Sequence, residues 1–319
     1  VLKRMDNIIF LGCGTSYFAA LLGMNYFKKM CNFNTVNIID GAEFDKDDIP
    51  KIGNTLLILL SQSGETKDLH RCIEIAKDED LFMMGVVNVV DSMIAREVHC
   101  GVYLNAGREV GVASTKSFTS QVIALSLISL WFSKLHNVSN NKRMKFLNDI
   151  RNLPKQIKKC IEMSEKILNE DNILDILKSN NSMFLLGKGE CEAIAKEGAL
   201  KIKEISYYHS EGYSGSSLKH GPFALLHKNF PVILIAPIDK NYTKMKNVYQ
   251  EIKSREASII FITDDNNCEF ENKILVPKNN SFSSLLSVIP IQLIAYYLSL
   301  DKGLNPDFPR NLAKSVVVE

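Results

Sequence analysis

The sequence predicts an α/β protein made of two tandem, doubly wound parallel sheets, with a C-terminal tail docked on them. Three observations carry this expectation. Short apolar runs recur that are continuous rather than alternating, the mark of strands buried on both faces. Helical patterns lie between the runs, so strand and helix alternate as in βαβ units. The same order of runs then occurs twice along the chain.

The first half opens with Asn7-Ile8-Ile9-Phe10-Leu11-Gly12-Cys13-Gly14, a strand closing on a Gly-x-Gly turn, and a helical pattern over 14–30. The runs 55–60, 82–87 and 102–104 read as further strands, with helices over 66–77 and 119–134. In the second half, Ser182-Met183-Phe184-Leu185-Leu186-Gly187-Lys188-Gly189 repeats the opening. The runs 231–236, 257–262 and 273–276 repeat the later strands, and helical patterns cover 191–208, 240–254 and 282–300. Right-handed crossovers follow from strand twist. A polar, Lys- and Asn-rich region over 138–181 divides the halves; it reads as helical over 144–168, with Pro154 as a break. The expected divisions are therefore 1–140, a helical connector 141–181, 182–303, and a tail 304–319.

The composition excludes several classes of partner. The 319 residues fit about two domains. Thirty-eight Lys and Arg against 36 Asp and Glu leave a net charge of +2, so nothing calls for nucleic acid or an anionic membrane. The lysines between Lys155 and Lys159 read as a solvated helix face. The longest apolar stretch, 122–132, is too short and too punctuated by serine to span a bilayer. Seven scattered cysteines without CxxC or Cys/His spacing point to reduced thiols in a cytoplasmic protein and to no metal site; no cofactor is expected either. Cys13 reads as a small buried side chain rather than a nucleophile. The chain begins with Val1 and shows no secretory signal, so the expectation is a piece of a longer protein.

Ligands of doubly wound sheets bind at the carboxyl ends of the strands. There, Ser61-Gln62-Ser63-Gly64-Glu65-Thr66 follows an apolar strand and precedes a helix. Hydroxyls and backbone N–H groups at a helix N-terminus suit a phosphate, and the absence of a lysine within the loop sets it apart from the loop of nucleotide triphosphatases. An ordinary polar turn has the same composition. The equivalent place in the second half, Ala236-Pro237-Ile238-Asp239, has few hydroxyls, so the phosphate is expected in the first half. Thr15 and Ser16 stand at another helix start, where Ser16 reads equally as an N-cap. Glu109-Val110-Gly111-Val112-Ala113-Ser114-Thr115-Lys116 is a small-residue loop before a helix, its plainest role being capping by Ser114 or Thr115.

Glu197, Lys201 and Glu204 share one face of a helix at i, i+4 and i+7. A solvated ion-pair stripe has this spacing, but Ala199, Leu200, Ile202 and Ile205 surround the face with apolar groups, and a carboxyl in a dry site can serve as a base. Residues 209–222, with three glycines and two histidines, read as a loop, and His220 beside Gly-Pro is sterically open for proton transfer. The tail from Asp307 is apolar, carries Pro309 and Lys314, and reads as docked; desolvation of an amine favours its neutral, nucleophilic form.

Together, Cys13 to Ser16, Ser61 to Thr66, Asn105-Ala106-Gly107, Glu109 to Lys116, Glu197 to Glu204, Leu218 to Pro222 and Asp307 to Glu319 occur in one order. That set resembles the isomerase half of the glutamine–fructose-6-phosphate aminotransferase family, over essentially the whole chain. The Ser-Gln-Ser-Gly-Glu-Thr loop alone would mark only the broader sugar-isomerase (SIS) superfamily; the terminal tail is more specific. The resemblance implies conversion of fructose 6-phosphate and ammonia to glucosamine 6-phosphate, the first step of hexosamine synthesis, with ammonia supplied by a preceding glutaminase domain. It implies that Ser61, Gln62, Ser63 and Thr66 hold the phosphate, and that Thr15, Ser16, Val112, Ala113, Ser114 and Ala313 line the sugar. By the same resemblance, Lys314 forms a Schiff base with the open-chain ketose and Glu204 moves a proton between C1 and C2. Lys201 assists with developing charge. His220 opens the ring from a neighbouring subunit, which implies a homodimer. The family usually has a glutamate where this chain has Ser217. Two alternatives remain open: another phosphosugar isomerase or deglycase, which has no need of Lys314, and a non-catalytic phosphosugar sensor, which needs none of Glu204, His220 and Lys314.

Overall fold

In the computed structural model, residues 1–314 are described. The chain forms two compact units, Val1–Leu147 with Ala313 and Lys314, and Asn148–Leu312.

The first unit contains β1 (Asn7–Gly12), α1 (Thr15–Met30), β2 (Thr35–Asp40), β3 (Thr55–Ser61), α2 (Lys67–Asp78), β4 (Phe82–Val87), α3 (Met93–Glu97), β5 (Cys100–Tyr103) and α4 (Lys116–Leu135). Its sheet has the order β2-β1-β3-β4-β5, and all neighbours are parallel. β1 and β3 are buried at every position, as their unbroken apolar composition requires of central strands covered by helices on both faces. Register sets Phe10 beside Ile58 and Leu11 beside Leu59, so both strands end at the same level.

The boundary between the units falls within α5 (Asn140–Glu170), which is one continuous helix despite Pro154. The expected break at Pro154 is thus corrected. A proline removes one backbone hydrogen bond at a cost of about 3 kcal/mol, while Phe146, Leu153, Cys160, Ser164 and Leu168 bury a stripe along the helix. That stripe keeps the helix running.

The second unit continues with α6 (Ile173–Lys178), β6 (Ser182–Gly187), α7 (Glu190–Ser206), β7 (His209–Ser214), β8 (Pro231–Ile235), α8 (Tyr242–Lys253), β9 (Ser258–Thr263), β10 (Lys273–Leu275), α9 (Ser283–Leu286) and α10 (Val288–Asp301). Its parallel order β7-β6-β8-β9-β10 repeats the first plan. The duplication read from the sequence is real. The sequence missed one strand pair, β2 and β7. Both are edge strands with only one buried residue each, Val36 and Ser210, so they have no apolar run to find. Residues 209–214, expected as loop, are strand β7.

The apolar stretch expected to be too short for a bilayer sits inside a longer helix. α4 has 20 residues and the segment Ser283–Asp301 has 19, both long and apolar enough to cross a membrane by length and composition alone. Half of the first window and 72% of the second are buried within the protein. In α4, Ser126, Ser129 and Ser133 donate to carbonyls three residues back, so their hydroxyls are compatible with an apolar packed face.

Candidate active site

In the first unit the strand order reverses between β1 and β3, which makes the crevice between their carboxyl ends the topological switch point. The two loops rich in hydroxyls leave from these two strands. Ser61, the last residue of β3, is the centre of its loop. Its buried hydroxyl lies 2.9 Å from Thr66 Oγ1 and 3.5 Å from Ser63 Oγ, and accepts from the Gly64 N–H at 2.9 Å. The Glu65 N–H donates to Ser63 Oγ at 3.2 Å. Gly64 has a φ of +69°, and a Cβ there would meet Ser92 Oγ at 2.0 Å, so only glycine fits. The loop is pinned from α3: Glu65 accepts from the Met93 N–H at 2.9 Å, and the Ile94 N–H donates to the Gly64 carbonyl at 3.0 Å. Ser92, Met93 and Ile94 were invisible as site residues in the sequence, because the contact spans nearly thirty positions.

At the end of β1, Gly14 adopts a φ of +54° and occupies the N-cap position of α1 without a side-chain bond. The capping role considered for Ser16 is therefore not realised. Ser16 lies within the first turn, and its hydroxyl accepts from Gln121 Nε2 at 2.9 Å. Gln121 belongs to α4 and is 1% exposed, yet its Oε1 has no hydrogen-bond partner among the described residues. A glutamine within the apolar pattern of α4 was the available signal for it. Burial, then the nearby Asp40 and Asp68 charges, push the Cys13 thiol up to about 12, the reverse of nucleophile activation.

The loop between β5 and α4 is organised by Glu109. Thr115 is the N-cap residue of α4 but makes no capping bond with its side chain. Instead the Glu109 carboxylate accepts from the Thr115 N–H at 2.9 Å, the Ser117 N–H at 3.2 Å and the Ser117 hydroxyl at 2.8 Å. This corrects the expected cap at Ser114 or Thr115. Lys314 Nζ stands 2.7 Å from Glu109 Oε2 and 3.4 Å from both the Val112 carbonyl and Ser114 Oγ. Burial works against charge on Glu109, but Lys314, the Thr115 N–H and Ser117 together hold its carboxyl below the usual range. Of the tail expected to dock, Pro309 is buried but Phe308, Leu312 and Ala313 are exposed, so the described part is not docked along its length, and 315–319 lie outside the described residues.

In the second unit, Lys201 Nζ lies 2.6 Å from Glu204 Oε2 and 3.6 Å from Glu197 Oε1. Side-chain exposure is 1% for Lys201, 0% for Glu197 and 20% for Glu204, so a solvated stripe is ruled out and Glu204 alone reaches the surface. Burial strips Lys201 of solvent and favours its neutral form, but Glu197 and Glu204 more than offset this and raise its proton affinity. His220 closes a short 3-10 helix over Ser217–His220, anchored by the buried Leu218. Its ring is exposed and has no partner among the described residues, while the adjacent Lys219 pairs with Glu251 at 2.6 Å. Ser217 is exposed, and its neighbour Ser216 accepts from Lys188 Nζ at 2.5 Å.

Two parallel sheets of one repeated order, with a hydroxyl-lined loop at the first switch point, define the class: the SIS domain family matches residues 2–130 and 176–301, and the chain belongs to it. Within that family the likeness is narrower. The chain is 31% identical to the C-terminal domain of glucosamine-fructose-6-phosphate aminotransferase from Francisella tularensis, with a TM-score of 0.89, covering 97% of this chain and 88% of that one. It is 50% identical, over 99% of its length, to a protein of Acanthamoeba polyphaga mimivirus named as a probable glutamine–fructose-6-phosphate aminotransferase (isomerizing). A glucosamine-6-phosphate deaminase from Thermotoga maritima is 25% identical with a TM-score of 0.81, covering 99% of this chain and 92% of that one. The chain spans about half the length of the curated relatives it matches, 52% for the mimivirus protein.

Proposed function

We propose that this chain is the sugar-isomerase part of a glutamine–fructose-6-phosphate aminotransferase, which converts fructose 6-phosphate and ammonia to glucosamine 6-phosphate. The observation that carries the reading is Lys314, whose Nζ lies 2.7 Å from a buried carboxylate in the unit that also holds the hydroxyl loop. A phosphosugar isomerase, deglycase or sensor has no task for such a lysine. In this reading Ser61, Gln62, Ser63 and Thr66 bind the phosphate, while Thr15, Ser16, Val112, Ala113, Ser114 and Ala313 line the sugar. His220 opens the ring, acting from the partner subunit of a homodimer. Lys314 attacks C2 and forms an iminium, which acidifies the neighbouring C–H bond. Glu204 takes the proton from C1 and delivers it to C2, with Lys201 stabilising the negative charge that develops. Ammonia from a glutaminase domain of the longer cytoplasmic protein adds to the C2 iminium and displaces the Lys314 amine, so C2 carries the ammonia nitrogen before the proton moves.

The test is incubation of the chain with fructose 6-phosphate, with and without ammonium, and identification of the sugar phosphates by NMR. Glucosamine 6-phosphate is expected with ammonium and glucose 6-phosphate without it, both lost in Lys314→Ala. Substrate binding without any product would favour a sensor, and a product that persists in Lys314→Ala would favour a plain isomerase.

A further inference from the structure

We propose that Glu109 is the proton-transfer partner and counter-ion of Lys314 during imine formation. The inference rests on the reading of Lys314 as the imine-forming lysine and deepens it.

Glu109 is 8% exposed and lies in the same unit as Lys314. Its two oxygens do different work. Oε1 accepts from the N–H groups of Thr115 and Ser117, so the start of α4 fixes the plane of the carboxylate. Oε2 accepts from the Ser117 hydroxyl at 2.8 Å and from Lys314 Nζ at 2.7 Å. A cap of α4 needs only the first set of bonds. Aiming the second oxygen at an amine is an additional feature, and the amine is within proton-transfer distance. The donors that surround the carboxylate stabilise its anion, as its lowered proton affinity records.

The chemistry needs such a group. An ammonium has no lone pair with which to attack, so Lys314 must lose one proton before its nitrogen reaches C2. Glu109 Oε2 takes that proton. The nitrogen forms a bond to C2 and the carbonyl π pair moves to oxygen. A second N–H proton passes to that oxygen, giving a neutral carbinolamine. The C2–O bond then breaks as the proton on Glu109 leaves with the hydroxyl as water, and the nitrogen lone pair forms the C=N bond. The balance is one carbonyl and one ammonium giving one iminium and one water. Glu109 begins as the counter-ion of an ammonium and ends as the counter-ion of an iminium, so no net charge is created in the buried site.

The test is reductive trapping. Fructose 6-phosphate and borohydride are added to the chain, and the modified residue is located by mass spectrometry of peptides. In the unsubstituted chain the adduct is expected on Lys314. Glu109→Gln keeps size and one acceptor oxygen but cannot take the proton; trapping is expected to slow by about 100-fold, the ordinary scale of acid–base help. Affinity for glucitol 6-phosphate, which has no carbonyl, is expected to stay within about twofold of the unsubstituted chain, since the phosphate loop is untouched. Glu109→Asp is expected to trap faster than Glu109→Gln. Trapping by Glu109→Gln at the unsubstituted rate overturns the proposal. Parallel loss of glucitol 6-phosphate binding in Glu109→Gln and Glu109→Asp also overturns it, because Glu109 would then act only as a cap. An unsubstituted chain that binds fructose 6-phosphate but gives no adduct on Lys314 removes the imine reading itself, a result distinct from both.

Discussion

Lys201 is the residue whose surroundings most constrain what it can do. An ammonium that is 1% exposed persists because two carboxylates face it from its own helix. Lys201→Met removes the cation and leaves Glu197 and Glu204 to repel each other; a loss of about 3–5 kcal/mol in stability is expected, measured by urea unfolding. The pH dependence has two limbs. The folded state raises the proton affinity of Lys201, so its contribution is complete below the unfolded value of about 10.4 and fades as pH rises through the folded one. Glu109 is shifted the other way: its contribution is present above the unfolded value of about 4.3 and fades as pH falls through the lower folded one. Urea midpoints measured against pH are expected to lose the alkaline limb in Lys201→Met and the acid limb in Glu109→Gln.

At the scale of elements, the site depends on how closely α7 can be packed. Gly198 faces α10, and a Cβ there would meet Ile291 Cγ2 at 2.6 Å and Leu185 Cδ2 at 3.0 Å. Gly212 brings β7 against the backbone of α7, where a Cβ would lie 2.5 Å from Lys196 Cα. α7 is thus wedged between β6, β7 and α10, and the orientation of Lys201 and Glu204 follows from that wedge. Gly198→Ala is expected to cost about 1–3 kcal/mol by overpacking. It is also expected to lower turnover more than substrate affinity, since Glu204 moves while the Ser61 loop, in the other unit, does not; separate measurement of kcat and KM checks this. The C-terminal end of α7 is tied as well: Tyr207 is left-handed at φ +59°, its hydroxyl accepts from the Arg310 N–H at 2.8 Å, and the Arg310 guanidinium stacks on its ring at 4.3 Å.

For the whole molecule, the proposal that His220 serves the partner's site has a direct test. In a mixed dimer of His220→Ala and Lys314→Ala chains, one site has both residues intact only if the histidine crosses between subunits. Random mixing of two inactive variants is then expected to restore about a quarter of the activity of the unsubstituted protein, by the arithmetic of a two-fold dimer. If His220 acts within its own chain, every site in the mixture lacks one group and no activity returns.

The sequence by itself determined the two-sheet plan, because strands buried on both faces must be apolar throughout, and β1, β3, β6, β8 and β9 could be read from that alone. It also determined the hydroxyl loop and the shared face of Glu197, Lys201 and Glu204, since both depend on spacing along a few residues. The edge strands β2 and β7 lacked the apolar signal and emerged only with backbone pairing to β1 and β6. Only the tertiary structure decided which polar groups meet. Gln121 reaches Ser16 across 105 positions and Lys314 reaches Glu109 across 205. No local pattern encodes such pairs, because the packing of distant helices and strands creates them.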